Sequence, residues 1–284
     1  MLPILLHINY FEPHRTLREA CALARDLGAD GIEWRRKPAR HQGDDLAYLD
    51  EISRAWDGAP LEWVSFGTPG PDLMTADDAV YARELDIAER FYREAARRFP
   101  LRVINFQTGV LMNPAASVPG AAYHQHGSAV ATEAQWCRAT EALRRLGALG
   151  EELGCRFALE THPCYLHDTI PAAKRLVESV DHPAIGLLWD YTNLLLFPES
   201  PSMEASLNEI GSRLFYVHLK NFAVPPVDGS FLVSALSDGI IDVRHQIRLL
   251  KAHGYQGPLC LEAPRKGDRE WFARGDLAYL RSLV

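Results

Sequence analysis

The sequence predicts an α/β fold, a single (β/α)8 TIM barrel over residues 1–284. Three observations carry that expectation. Short apolar runs alternate with longer segments of helical periodicity, which favours parallel strands joined by crossover helices. Eight such pairs fit in 284 residues, about the length this barrel needs. No linker-like shift in composition divides the chain, so one domain is expected.

Taken in order, Ile4 to Ile8 is the first strand, with His7 at its end. Thr16-Leu17-Arg18-Glu19 has the form of a capping box and opens a helix that Gly28 stops. Residues 29–35 form the second strand, with Glu33 and Arg35 on one face at its end. A helix marked by Leu46, Leu49, Ile52 and Trp56 leads to a third strand, Pro60 to Phe66. A long helix then runs from Thr75 to about Phe99. Leu101 to Gln107 is the fourth strand, ending in Asn105 and Gln107. Thr132 to Gln135 is a second capping box, opening a helix to Gly154. The fifth strand, residues 156–162, places Glu160 and His162 on one side because strand side chains alternate. A helix from Thr169 to Val180, a strand from Ala184 to Asp190 and a helix from Ser202 to Ile210 follow. Leu214 to Leu219 is the seventh strand. A helix capped by Asp242 and ended by Gly254 precedes the eighth strand, Pro258 to Ala263, and Asp268 to Leu283 is the closing helix.

Two connections, residues 109–131 and 222–241, are longer than barrel loops usually are. Both follow strands, so both belong at the C-terminal mouth, as covers over a substrate or as insertions without that role.

The chain is 47% hydrophobic and 24% charged, ordinary globular composition, with a net charge of −7. That balance argues against a nucleic-acid surface, which needs a basic stripe. Five scattered cysteines without a CxxC suggest neither a zinc knuckle nor a disulfide framework, and reduced buried thiols are expected. The amino terminus is too short for a signal h-region and no run reaches transmembrane length, so no membrane partner and a cytoplasmic location are expected. No GxGxxG, P-loop, GxSxG or HExxH occurs.

The chemistry gathers at the ends of four consecutive strands: Glu160, Asp190, His218 and Glu262. Any one alone is more often structural. Four in register on adjacent strands are hard to explain by packing, because clustered carboxylates repel unless a cation or protons compensate. Three carboxylates and an imidazole suit one divalent metal ion, Mn²⁺, Mg²⁺ or Co²⁺, with Zn²⁺ also compatible. Such an ion acts as a Lewis acid on a carbonyl and its neighbouring hydroxyl.

Around this set, His162 either orients Glu160 or meets substrate. Lys220 faces the same mouth and suits a hydroxyl, carboxylate or phosphate. Glu33 and Arg35 bind substrate or form a salt bridge between strands, and His7 reaches substrate or is a hydrogen-bonded core histidine. Trp34, Trp63 and Trp189 are either core or an aromatic wall for a substrate.

The stretches ETHP (160–163), GLLWDYTN (186–193), FYVHLKN (215–221) and the run from Asp238 to Ala263 resemble the xylose-isomerase-like sugar (phosphate) isomerase/epimerase superfamily. The likeness spans the chain and is sharpest from 156 to 263. It implies that Glu160, Asp190, His218 and Glu262 bind one divalent ion. It also implies that Glu160 and Glu262 are the acid/base pair of a ketose or keto-polyol isomerase or epimerase working through a metal-stabilised cis-enediolate. The substrate would be a sugar or polyol-derived ketone, and the assembly a homodimer or homotetramer. The same enolate would serve a sugar or cyclitol dehydratase or lyase. Two positions depart from the pattern: Asn193 stands where many epimerases carry a substrate-holding histidine, and Asn221 where an aspartate is common. Both put a standard ketohexose substrate in doubt.

Overall fold

The computed structural model describes residues 1–12, 14–36, 44–116, 122–226, 231–262 and 264–284. Eight parallel strands lie in the order β3-β2-β1-β8-β7-β6-β5-β4 and curl until their ends meet. They are β1 (Ile4–His7), β2 (Gly31–Arg35), β3 (Trp63–Gly67), β4 (Val103–Phe106), β5 (Arg156–Glu160), β6 (Ile185–Asp190), β7 (Leu214–Leu219) and β8 (Leu259–Leu261). A single parallel bridge, Val64 to Leu101, spans the seam between β3 and β4. The (β/α)8 barrel expected from the sequence is therefore present.

These strands are buried on both faces, which is why they read as continuous apolar runs rather than as alternating ones. Leu5, Val103, Ala158, Leu188, Phe215, Tyr216 and Cys260 pack inside the barrel. The opposite faces meet the helices α1 (Leu17–Asp26), α2 (Asp45–Gly58), α3 (Asp78–Arg98), α4 (Glu133–Leu153), α5 (Ile170–Val180), α7 (Met203–Ile210), α8 (Val243–Ala252) and α9 (Arg269–Arg281). Between β3, β5 and α3 the aromatic pairs Phe66–Phe91 and Tyr92–Phe157 meet edge to face, with centroids 5.1 and 5.2 Å apart. Both capping boxes form, at Thr16 with Glu19 and at Thr132 with Gln135, each contributing about 1 kcal/mol.

Several boundaries differ from the sequence expectation. The third strand begins at Trp63, not Pro60, and the third helix is capped by Asp77 rather than opened by Thr75. The fourth strand is the four residues Val103–Phe106, and β8 is only three residues long, so Glu262 stands one position past it. Its amide still donates to the Leu219 carbonyl at 3.1 Å, which keeps it in register with β7. The fifth strand stops at Glu160; the Thr161 amide makes the last in-register bond to Leu188, and Pro163 cannot extend the ladder. A short helical turn, α6 (Tyr191–Leu194), follows β6 directly; the Asp190 side chain caps it by accepting from the Asn193 amide. The residues 117–121, 227–230 and Ala263, parts of the two long connections and of the expected eighth strand, lie outside the described residues.

Trp34 and Trp189 are fully buried in the outer core and Trp63 sits at the opposite end of the barrel from the site below, so none of the three forms a wall for substrate. The thiols of Cys21, Cys155 and Cys260 are buried as expected, whereas Cys137 is exposed. No helix among the described residues is long and apolar enough to cross a membrane.

Candidate metal centre and catalytic site

The C-terminal ends of β5, β6, β7 and β8 bring Glu160, Asp190, His218 and Glu262 together. One ligand atom from each lies within 4.8 Å of all the others. The strands explain the convergence: Asp190 pairs in register with His218, and His218 with Cys260, two positions before Glu262.

Glu160 is held from three sides. Asn105 and Gln107 donate to Oε2 at 3.1 and 3.0 Å, and Asn193 donates to Oε1 at 3.3 Å. Burial alone would raise its pKa, but the His218 and Lys220 charges win and hold it well below the usual range. Glu262 is the most solvent-accessible of the four. Burial raises it too, yet Lys220 and His218 bring it down to about 2. Both glutamates therefore rest as carboxylates.

His218 is clamped from behind. Its Nε2 lies 2.9 Å from Glu33 Oε2, while its Nδ1 faces Glu160 at 3.5 Å and Glu262 at 3.9 Å. Nδ1 is buried and has no hydrogen-bond partner. A carboxylate behind a histidine that turns its other nitrogen into a carboxylate cluster is the arrangement metal-binding histidines use. Burial lowers the imidazole pKa, and Glu33 and Glu160 more than reverse that, raising it well above normal. Among the described residues, Glu33, Glu160, Asp190 and Glu262 pair with two cationic side chains, His218 and Lys220, so two negative charges remain even when His218 is protonated. The donor set and this charge deficit fit a divalent cation.

Lys220 sits among these ligands. Its Nζ is 2.6 Å from Asp190 Oδ2 and 2.7 Å from Glu262 Oε2, and it is buried. Burial disfavours its charge, but the two carboxylates outweigh burial and raise its pKa, so it is a fixed cation rather than a base.

The remaining expected residues divide. Glu33 is fully buried beneath His218, and a β-carbon at Gly67 would lie 2.4 Å from its Oε1, so a glycine leaves that carboxylate its space. Arg35 does not pair with Glu33; it reaches outward to Glu12 Oε2 at 2.9 Å and to Thr68. His7 accepts from the Asn9 amide through Nδ1 and lies 3.8 Å from Glu33, and burial lowers its pKa, so it is neutral. His162, past the strand's end, is half-buried with its Nδ1 against the Pro163 carbonyl and its ring edge on Tyr165. Asn193 holds Glu160, and Asn221 turns away from the site: its side chain bonds the backbone of Phe222, Leu236 and Ile241, tying down the 222–241 connection.

Asn105, Gln107 and His167 were not expected among the site residues. Asn105 and Gln107 are visible in the sequence as alternate polar residues closing an apolar strand, the same pattern that marks Glu160. Nothing in the sequence marks His167, whose buried ring holds the Glu160 carbonyl through Nδ1. Burial pushes His167 down to about 4 and its neighbour Asp168 up to about 6. The signs oppose. Folded Asp168 keeps a proton that the unfolded chain releases near 3.8, so its contribution to stability falls as pH rises from about 4 to 6. Folded His167 stays neutral where the unfolded ring protonates near 6.5, so its contribution rises from about pH 4 to 6.5. Each slope amounts to about 3 kcal/mol. Relative to the unmodified chain, Asp168→Asn is expected to gain stability as pH rises from about 4.5 to 6, and His167→Gln to lose it. Urea unfolding across that range checks both, and parallel profiles would disprove the assignment.

Comparison with known proteins bears on the family and the fold. A family model described as xylose isomerase-like TIM barrel matches residues 21–283. An inosose dehydratase of Geobacillus thermodenitrificans is 30% identical over 147 residues, 47% of this chain and 49% of that protein. The chain thus spans about half the length of the curated relatives it matches. Among solved structures, a D-allulose 3-epimerase from Methylomonas sp. in complex with D-allulose superposes with a TM-score of 0.76 at 17% identity, covering 100% of this chain and 97% of that one. A xylose isomerase-like TIM barrel protein from Mycobacterium smegmatis in complex with magnesium gives 0.74 at 20% identity, covering 100% and 96%. At those identities the superpositions speak for the fold, and the family match covers most of the chain. The chain belongs to the xylose isomerase-like TIM barrel family.

Proposed function

We propose that this chain is a divalent-metal-dependent isomerase or epimerase of a ketose or related keto-polyol, moving a proton by way of Glu160 and Glu262. The observation that carries the reading is the buried, unpartnered Nδ1 of His218 facing two ionised glutamates across a ring of ligand atoms within 4.8 Å.

Glu160, Asp190, His218 and Glu262 would hold the ion, which supplies Lewis-acid charge to two adjacent substrate oxygens. The chain's own residues do the rest. A carbon acid next to a carbonyl needs a positioned carboxylate, and Glu160, fixed by Asn105, Gln107 and Asn193, has one orientation to offer. Glu262, partly open to water, can trade its proton with solvent, whereas Glu160 is nearly sealed. An isomerisation can return the proton through the carboxyl that took it. An epimerisation needs the partner glutamate to enter the cycle protonated, and Glu262 is the one water can reach. Lys220 keeps Asp190 and Glu262 apart from each other's charge.

A dehydratase is the second reading, favoured by the sequence relatives named inosose dehydratase and by Asn193 at the position where many epimerases carry a histidine. The same base would act, with a β-hydroxyl leaving instead of a proton returning. A panel of ketoses and cyclic ketones incubated in D₂O and scored by mass separates the two. Deuterium gain without loss of water supports the isomerase or epimerase; loss of water supports the dehydratase. No exchange, no isomeric product on chromatography and no water loss on any substrate, with the metal present, would overturn both.

A further inference from the structure

A cavity of about 620 Å³ opens at the end of the barrel opposite the carboxylate cluster. Its lining comes from strand beginnings: Trp63 opens β3, Val103 opens β4, Arg156 opens β5 and Leu214 opens β7. Side chains at this end of a barrel ordinarily serve stability. The lining chemistry is nevertheless one-sided. Among the described residues not one Asp or Glu contributes to it, in a chain whose net charge is −7.

Two arginines face this space. The Arg102 guanidinium lies 4.5 Å over the Trp63 ring and that of Arg156 lies 4.7 Å over the Phe215 ring. Among the described residues neither makes an ion pair, although many other arginines of this chain do, Arg93, Arg98 and Arg145 among them. Their backbones are adjacent, since the Arg156 amide donates to the Arg102 carbonyl at 3.0 Å, while the register aligns Arg156 with Val103. Both side chains are exposed, so each guanidinium is open to an anion arriving from solvent. Each guanidinium spends a face on an aromatic ring and keeps its N–H edge free, the edge that grips phosphate or carboxylate bidentately. The ring beneath Arg156 is seated by β6: a β-carbon at Gly186 would lie 2.4 Å from Phe215. Trp63, Val103 and Phe215 give the space an apolar floor.

We propose that this N-terminal cavity binds a small organic anion, a phosphate or carboxylate carried on an apolar or aromatic body, between Arg102 and Arg156. The site is independent of the metal centre and of the reaction assigned to it. A volume of this size is ordinary for small-molecule sites.

Phenyl phosphate, benzoate and inorganic phosphate serve as probes, in calorimetric titration of the full chain at low salt. Saturable binding of phenyl phosphate or benzoate is expected, tighter than that of inorganic phosphate, and the tighter of the two tells which anion the site prefers. Arg102→Gln with Arg156→Gln should weaken it about tenfold or more. If the double variant does not fold, each single variant should weaken it several-fold. Binding should survive chelation and the Glu160→Gln substitution, which separates this cavity from the active site. No saturable binding by either aromatic probe would overturn the proposal, leaving the arginines as covers for the barrel floor. So would binding that the arginine substitutions leave intact, or that Glu160→Gln removes.

Discussion

Glu262→Gln is expected to lower turnover by about 10² to 10⁴-fold while the barrel stays folded. Glutamine keeps the shape of the side chain but can neither take up nor deliver a proton at the substrate carbon, so the loss should fall on kcat rather than KM. Glu262 is the more exposed glutamate, and its ion-pair partners among the described residues are Lys220 and His218, so the substitution leaves little buried and unsatisfied. Glu160→Gln should lose at least as much activity, for two reasons that metal analysis tells apart. An amide at 160 removes the base, and its NH₂ must face either the Asn105 and Gln107 donors or the Asn193 donor. The variant is therefore expected to hold less metal, where Glu262→Gln keeps more. Full activity in either variant, or full activity of the unmodified chain after exhaustive chelation, would remove the proton-transfer scheme.

Lys220→Met should destabilise the metal-free protein by about 3 to 5 kcal/mol, the usual cost of stranding buried charge. The ammonium is the nearest cation to both Asp190 and Glu262, and methionine fills the same space without it. A divalent ion binding the same carboxylates restores part of that charge balance, and by linkage stabilises the folded chain in proportion to its binding. Urea unfolding with EDTA, then with added Mn²⁺, reads both effects. The variant should gain more from the metal than the unmodified chain does. Equal gains would show that Lys220 and the ion do not share these carboxylates, and an unchanged midpoint in EDTA would show that the ion pairs carry little of the fold.

Much of the barrel is legible in the sequence because its rules are local. A buried parallel strand is a short apolar run, and the boxes at Thr16 and Thr132 are read from four residues each. The candidate ligand cluster is legible for a related reason: four adjacent strands each close an apolar run with a ligand-type side chain, and the structure brings the four together. What escaped depends on geometry that sequence spacing does not carry. Glu33 and Arg35 are two apart and look like partners, yet the strand carries one beneath His218 and lets the other swing out to Glu12. His162 was expected to share a face with Glu160, but the ladder ends between them and His167, from inside the following turn, supports the glutamate's backbone instead. Asn105 and Gln107 read as a strand's end and not as donors, because their acceptor lies 55 and 53 residues further along the chain.

The seam of the barrel gives the site a second meaning. Backbone pairing between β3 and β4 comes down to the one bridge from Val64 to Leu101. Above it, the Asn105 amide on β4 reaches both Glu33 on β2 and Glu160 on β5, and Glu33 in turn grasps His218 on β7. The candidate metal centre is thus also a clasp across a seam with little backbone pairing. These site residues are not free to drift independently of the scaffold, and a substitution among them also alters how firmly the ring is shut.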